Sequence, residues 1–294
     1  MYRMRLWWLL LLAPACLAQD LAGVIDLHAH CDPDSMARSI DGLALARLAR
    51  ERGMRGLVLK NHNESTAGLA WLAGQAAPGL EVFGGIALNR AVGGLNPAAI
   101  DHMARLKGGR GKVVWMPTFD AENQVRVSGE KRPFVPVARG GRLLPEVHEV
   151  LAMVAKYDLT LATGHLSPDE IFLLLAEARR AGVRRIVVTH PMLTPVGMTV
   201  EQMRRAAATG AWLEFVYGAL IGPNKAFEPG PYAAAMRAVG PDHVIVTSDL
   251  GQAGNPLHPD GLVAFLRLLR EQGFSQAEID RMSKRNPAAA LGLE

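Results

Sequence analysis

Residues 24–33 read VIDLHAHCDP: an apolar, β-branched start runs into two imidazoles, His28 and His30, and then Cys31 and Asp32. Side chains alternate across a strand, so residues two apart face the same side. His28 and His30 therefore point together, and two neutral imidazoles converging on one spot suit a divalent metal. Two partly buried histidines bonded to local groups would leave the same short pattern. Only the rest of the chain separates these readings.

Similar β-rich runs recur outward from this one. They are Val24–Leu27, Gly56–Leu59, Val82–Ala87, Lys112–Met116, Thr160–Thr163, Arg185–Val188, Ala211–Val216 and Val244–Thr247. Between them lie segments of helical period such as GLALARLARER, EVHEVLAMVAKY, PDEIFLLLAEARRAG, EQMRRAAATG and LVAFLRLLREQG. Several close on Gly, a helix stop, and Ser167–Glu170 (SPDE) has the Ser cap, first-position Pro and early acids of a helix start. Strands alternating with helices imply a parallel sheet. Eight such units in about 270 residues predict an α/β fold, a (β/α)8 TIM barrel, as a single domain over residues 19–294. A doubly wound open sheet is the alternative, but no glycine-rich dinucleotide fingerprint follows the first strand. The longest irregular stretch, Thr118–Leu144, contains VRVSGEKRPFVPV, a candidate hairpin. Lying after the fourth strand, it would sit on the barrel face where active sites form.

The chain has 294 residues, 49% of them hydrophobic, enough for a large core. Arg3 and Arg5, the apolar run Leu6–Leu12 and the small-residue stretch Ala13–Ala18 read as a secretory signal peptide over residues 1–18. Cleavage after Ala18 would leave Gln19 first, on a secreted or periplasmic protein with no stable membrane span. A lipoprotein acylated on Cys16 and a retained N-terminal anchor are the alternatives. Loss of Arg3 and Arg5 takes the formal net charge from +4 to +2. No stripe of Lys and Arg with interleaved aromatics is visible, which argues against nucleic acid and leaves a small-molecule substrate. A homo-oligomer is compatible with everything read here. Cys16 and Cys31 are the two cysteines, so the mature chain would have no internal disulfide, and Cys31 reads as a packed thiol.

Polar residues collect at the C-terminal ends of the strands. The first ends in His28 and His30, the second in Lys60, Asn61 and His62, the fifth in His165, the sixth in His190 and the eighth in Asp249. Five of the nine histidines fall at these four histidine-bearing ends. In this order the chain resembles the amidohydrolase superfamily of metal-dependent hydrolases. That resemblance implies that His28, His30, His165, His190 and Asp249 are metal ligands for one or two divalent ions (Zn, with Mn or Fe as alternatives). It implies hydrolysis of an amide, ester or lactone by a metal-activated water, with Asp249 as the catalytic general base.

One departure stands out. Binuclear relatives bridge their metals with a lysine or glutamate at the end of strand four. Here that end reads Trp115, Met116, Pro117, Thr118, and Lys112 is at the wrong end. Lys60 is the substitute metal residue, with a substrate contact or a solvated rim position as its alternatives. His62 is a substrate-binding candidate, and Glu214 and Asp26 are candidates for orienting the histidines. Arg126, Lys131, Arg132, Arg139 and Arg142 make the Thr118–Leu144 stretch basic, which would suit a carboxylate-bearing substrate or simply a solvated loop. Competing functions are a PHP-type phosphoesterase, a decarboxylase of the same superfamily and a non-catalytic metal-binding barrel. The PHP pattern closes on Asp-x-His, whereas Asp249 is followed by Leu250 and Gly251.

Overall fold

The computed structural model describes residues 21–293. The signal-peptide reading of residues 1–18, Cys16 included, lies outside them. Strands β1 (Ile25–His30), β2 (Gly56–Lys60), β3 (Glu81–Ala87) and β4 (Gly111–Trp115) pair in parallel in chain order. A two-stranded hairpin, β5 (Ala138–Arg139) with β6 (Arg142–Leu143), interrupts the series. Strands β7 (Thr160–Ala162), β8 (Arg185–Val188), β9 (Trp212–Val216) and β10 (Val244–Thr247) complete an eight-stranded parallel sheet. Its two ends meet: Asp249 N donates to His28 O and His30 N donates to Leu250 O, both at 2.9 Å. Helices on the outside make this the expected (β/α)8 barrel. Among the described residues no helix is long and apolar enough to cross a membrane.

The strands are apolar on both faces because both are covered. Leu57, Leu59, Val114, Leu161, Val188, Leu213 and Val246 face the helices. Ile25, Val58, Phe83, Val113, Trp115, Val187 and Ile245 fill the barrel. Ala288, Ala290 and Leu291, from the C-terminal helix Asn286–Leu291, close its lower end.

The helices between strands begin with α1 (Gly42–Glu51), α2 (Ala67–Ala76), α3 (Pro97–Ala104) and α4 (Glu122–Ser128). They continue with α5 (Pro145–Lys156), α6 (Pro168–Arg180), α7 (Val200–Ala208), α8 (Pro229–Val239) and α9 (His258–Glu271). The SPDE start is a capping box: Ser167 Oγ accepts from Glu170 N, and the Glu170 carboxylate accepts from Ser167 N. The stretch after β4 corrects the reading of residues 125–137 as a hairpin. Val125–Ser128 end helix α4, which stops on the left-handed Gly129, and the two-stranded hairpin lies just beyond, at residues 138–143. Paired glycines at 140 and 141, both with positive φ, make the turn there.

A register irregularity in β1 decides what the barrel interior contains. Before it, Val24 packs outward while Ile25 and Leu27 pack inward; after it, Ala29 packs outward. The shift falls between Asp26 and Ala29. Strict alternation from Ile25 would have put His28 and His30 on the helix face. The bulge turns them into the barrel, as bulges near functional sites commonly do.

Candidate metal centre

The upper end of the barrel holds a cavity of about 460 Å³. His28, His30, Lys60, His62, His165, His190 and Asp249 all line it, so the structure brings every predicted site residue to one place. The backbone there is unusual. Only three non-glycine residues among those described have positive φ, and two are His190 (φ 21°) and Asp249 (φ 48°). Such conformations are costly and concentrate at functional sites. Neighbouring glycines make the close approaches feasible. A Cβ on Gly164, next to His165, would lie 2.3 Å from Met116 O, and one on Gly251 would lie 2.0 Å from His30 O.

Hydrogen bonds fix the histidine tautomers. His28 Nδ1 lies 3.2 Å from both oxygens of Glu214, and His30 Nδ1 lies 3.1 Å from the backbone carbonyl of Lys60. Both partners accept, so each Nδ1 carries its proton and donates. Burial pushes both imidazoles down to about 3, so they are neutral and each Nε2 holds a lone pair. Yet both Nε2 atoms lie 3.2 Å from Asp249 Oδ1. Burial would raise this carboxyl, but the surrounding histidines more than offset it and hold Asp249 well below the ordinary range, so it is a carboxylate. Three acceptors thus converge on one point, an arrangement that needs a positive charge among them. These atoms lie within 4.8 Å of one another and fit a metal ion.

The remaining residues extend the same chemistry. His165 donates from Nδ1 to Gln124 Oε1 at 2.8 Å, which leaves its Nε2 free. His190 Nδ1 is buried without a hydrogen-bond partner, an orphan that a cation would satisfy. Its ring centre lies 5.0 Å from that of His165 and 6.0 Å from that of His28. Lys60 Nζ stands 2.9 Å from His28 Nε2 and over the Trp115 ring. Burial lowers this amine to about 8, despite the attraction of Asp249 and Glu214. His62 stacks on Phe119, with centres 3.8 Å apart, and pairs with Thr118 Oγ1 at 2.9 Å. Burial pushes Glu214 up to about 7 and Cys31 up to about 12, so Cys31 is the packed thiol expected. Asp26 faces the strand seam, where it accepts from Ser248 N at 3.0 Å and His28 N at 3.2 Å.

The basic stretch lies elsewhere. Arg126 and Arg139 pair with Glu122, and Arg132 pairs with Asp120 and Glu130. Arg126 and Arg139 line a separate cavity of about 360 Å³. Besides Lys60, the cation that lines the main cavity is Arg38, in the loop after β1, which the sequence reading missed. No periodicity or motif marks it.

In fold, the barrel is similar to solved structures of amidohydrolases and phosphotriesterase-like proteins. An Escherichia coli phosphotriesterase homology protein complexed with phosphate shares 17% identity, with 92% of this chain and 98% of that chain covered and a TM-score of 0.64. A PTE-like lactonase mutant of Deinococcus radiodurans shares 16%, covering 95% and 98%, at a TM-score of 0.63. A Burkholderia multivorans amidohydrolase with bound zinc shares 13%, covering 93% and 100%, at a TM-score of 0.62. No curated protein matches the sequence. Residues 23–214 match the family described as "Family of unknown function (DUF6282)", and the chain belongs to that family.

Proposed function

We propose that the protein is a metal-dependent hydrolase that cleaves an ester, lactone or amide bond of a small molecule. The observation that carries this reading is the convergence of His28 Nε2, His30 Nε2 and Asp249 Oδ1 on one point, with both imidazoles held as neutral donors from Nδ1. His165 and His190 complete the candidate ligand set. Imidazole-rich sites favour zinc, with manganese and iron as the alternatives. A divalent ion there would polarise the scissile carbonyl and lower the pKa of the attacking water. Asp249 takes that water's proton and passes it to the leaving group. Glu214 holds the His28 ring in the tautomer that leaves Nε2 free. Phe119 and His62 form the stacked wall against which a substrate would rest.

The test is turnover of a panel of esters, lactones and amides by zinc-loaded protein. Hydrolysis of at least one class should vanish on chelation and return on adding zinc. Full activity in metal-free protein, or none with zinc bound, would defeat the reading. The absence of a closing histidine after Asp249 disfavours the PHP-type phosphoesterase, and Gly251 packs there against His30 O instead.

Lys60 is assigned to a second metal. Its β-position continues the inward face of Val58, and its amine lies beside His28. A lysine amine lowered to about 8 has a neutral fraction that can take up carbon dioxide to give a carbamate, whose two oxygens can bridge two cations. Lys60→Ala should then halve the metal content measured by elemental analysis. A raised KM with metal content unchanged would make Lys60 a substrate contact instead.

A further inference from the structure

The cavity contains one guanidinium that the chemistry above does not use. Arg38 lines it, although the side chain is only 2% exposed. Asp34, one turn back in the same loop, occupies one edge of the guanidinium: Oδ2 accepts from Nε at 2.7 Å and lies 2.6 Å from Nη2. The other oxygen, Oδ1, is turned to Ser35 Oγ and Met36 N. Nη2 is buried without a properly directed hydrogen bond. A planar fork has five donors, so most of this one is uncommitted.

The position is built. Arg38 forms a backbone bridge with Gln252, in the loop that follows Asp249, and Ser39 N donates to Gly251 O at 2.9 Å. The two loops that carry Arg38 and Asp249 are thereby tied together beside the cavity. Met36, Phe119, Leu193 and Ala226 supply its apolar lining.

We propose that Arg38 anchors a carboxylate of the substrate, which makes the substrate class an ester, lactone or amide bearing a free carboxylate on an apolar body. This rests on the hydrolase reading above. A guanidinium holds a carboxylate by charge-assisted hydrogen bonds, and a planar donor fork discriminates it from a neutral amide.

The experiment pairs binding with turnover. Zinc-loaded protein is titrated calorimetrically with phenylacetate and phenylacetamide, and assayed with the 4-nitrophenyl monoester of glutaric acid and its methyl ester. The unsubstituted protein should bind phenylacetate in preference to the amide, and kcat/KM should favour the free acid by about tenfold to 100-fold. Arg38→Gln should remove both preferences, the kinetic one through KM, with zinc content retained. Arg38→Lys, which keeps Asp34 paired and guards against misfolding, should retain charge attraction but lose most of the preference with the fork. Equal phenylacetate affinity in all three proteins, or no preference for the acid in the unsubstituted one, would overturn the assignment. If neither ester is hydrolysed, the hydrolase reading fails for these esters, and the phenylacetate titration still decides Arg38.

Discussion

Asp249→Asn lowers kcat at least about 100-fold while zinc stays bound, the size expected for loss of a general base. Asparagine keeps the shape and one acceptor oxygen but cannot take a proton from water. It also tolerates the left-handed backbone that Asp249 adopts at φ 48°. The position itself is held by the backbone: Asp249 N donates to His28 O, and Gly251 packs against His30 O. The substitution therefore tests proton transfer with little disturbance of the barrel. Stopped assays on protein of matched zinc content provide the measurement. An unchanged kcat would assign Asp249 to structure.

His28→Ala reduces activity to the level of chelated protein and lowers zinc affinity. His28 is the hub of the cluster: Nε2 touches Asp249 and Lys60, and Nδ1 holds Glu214. Its removal takes away one acceptor and leaves Glu214, a buried carboxyl already pushed up to about 7, without its imidazole partner. Loss of a group that orients a ligand typically costs about 10- to 100-fold in metal affinity, and His28 is proposed as the ligand itself, so its loss should exceed that range. Zinc titration with a competing chelator reads the affinity. Retained zinc affinity with full turnover would move the centre away from β1.

The barrel was legible because a parallel strand covered on both faces must be apolar throughout, as LVL in β2 and VIV in β10 are. The cavity residues were legible for a related reason: polar side chains such as His165, His190 and Asp249 end apolar strands, where burial gives no other excuse for them. The bulge in β1 was not legible. His28 and His30 point together in either register, and only pairing with β2 decides whether they face the barrel or the helices. Helix α4 was missed because ENQVRVS is one short polar turn followed by β-branched residues, favouring helix only in its tertiary setting. Arg38 was missed because it sits in a loop, and its importance comes from a neighbour in space, Gln252, that sequence spacing does not reveal.

A metal held between β1 and the loop after β10 should be visible by zinc-edge anomalous diffraction from zinc-soaked crystals. An anomalous peak is expected within bonding distance of His28 Nε2, His30 Nε2 and Asp249 Oδ1. Peaks confined to other residues, with these three atoms still in contact only with one another and with Lys60, would contradict it.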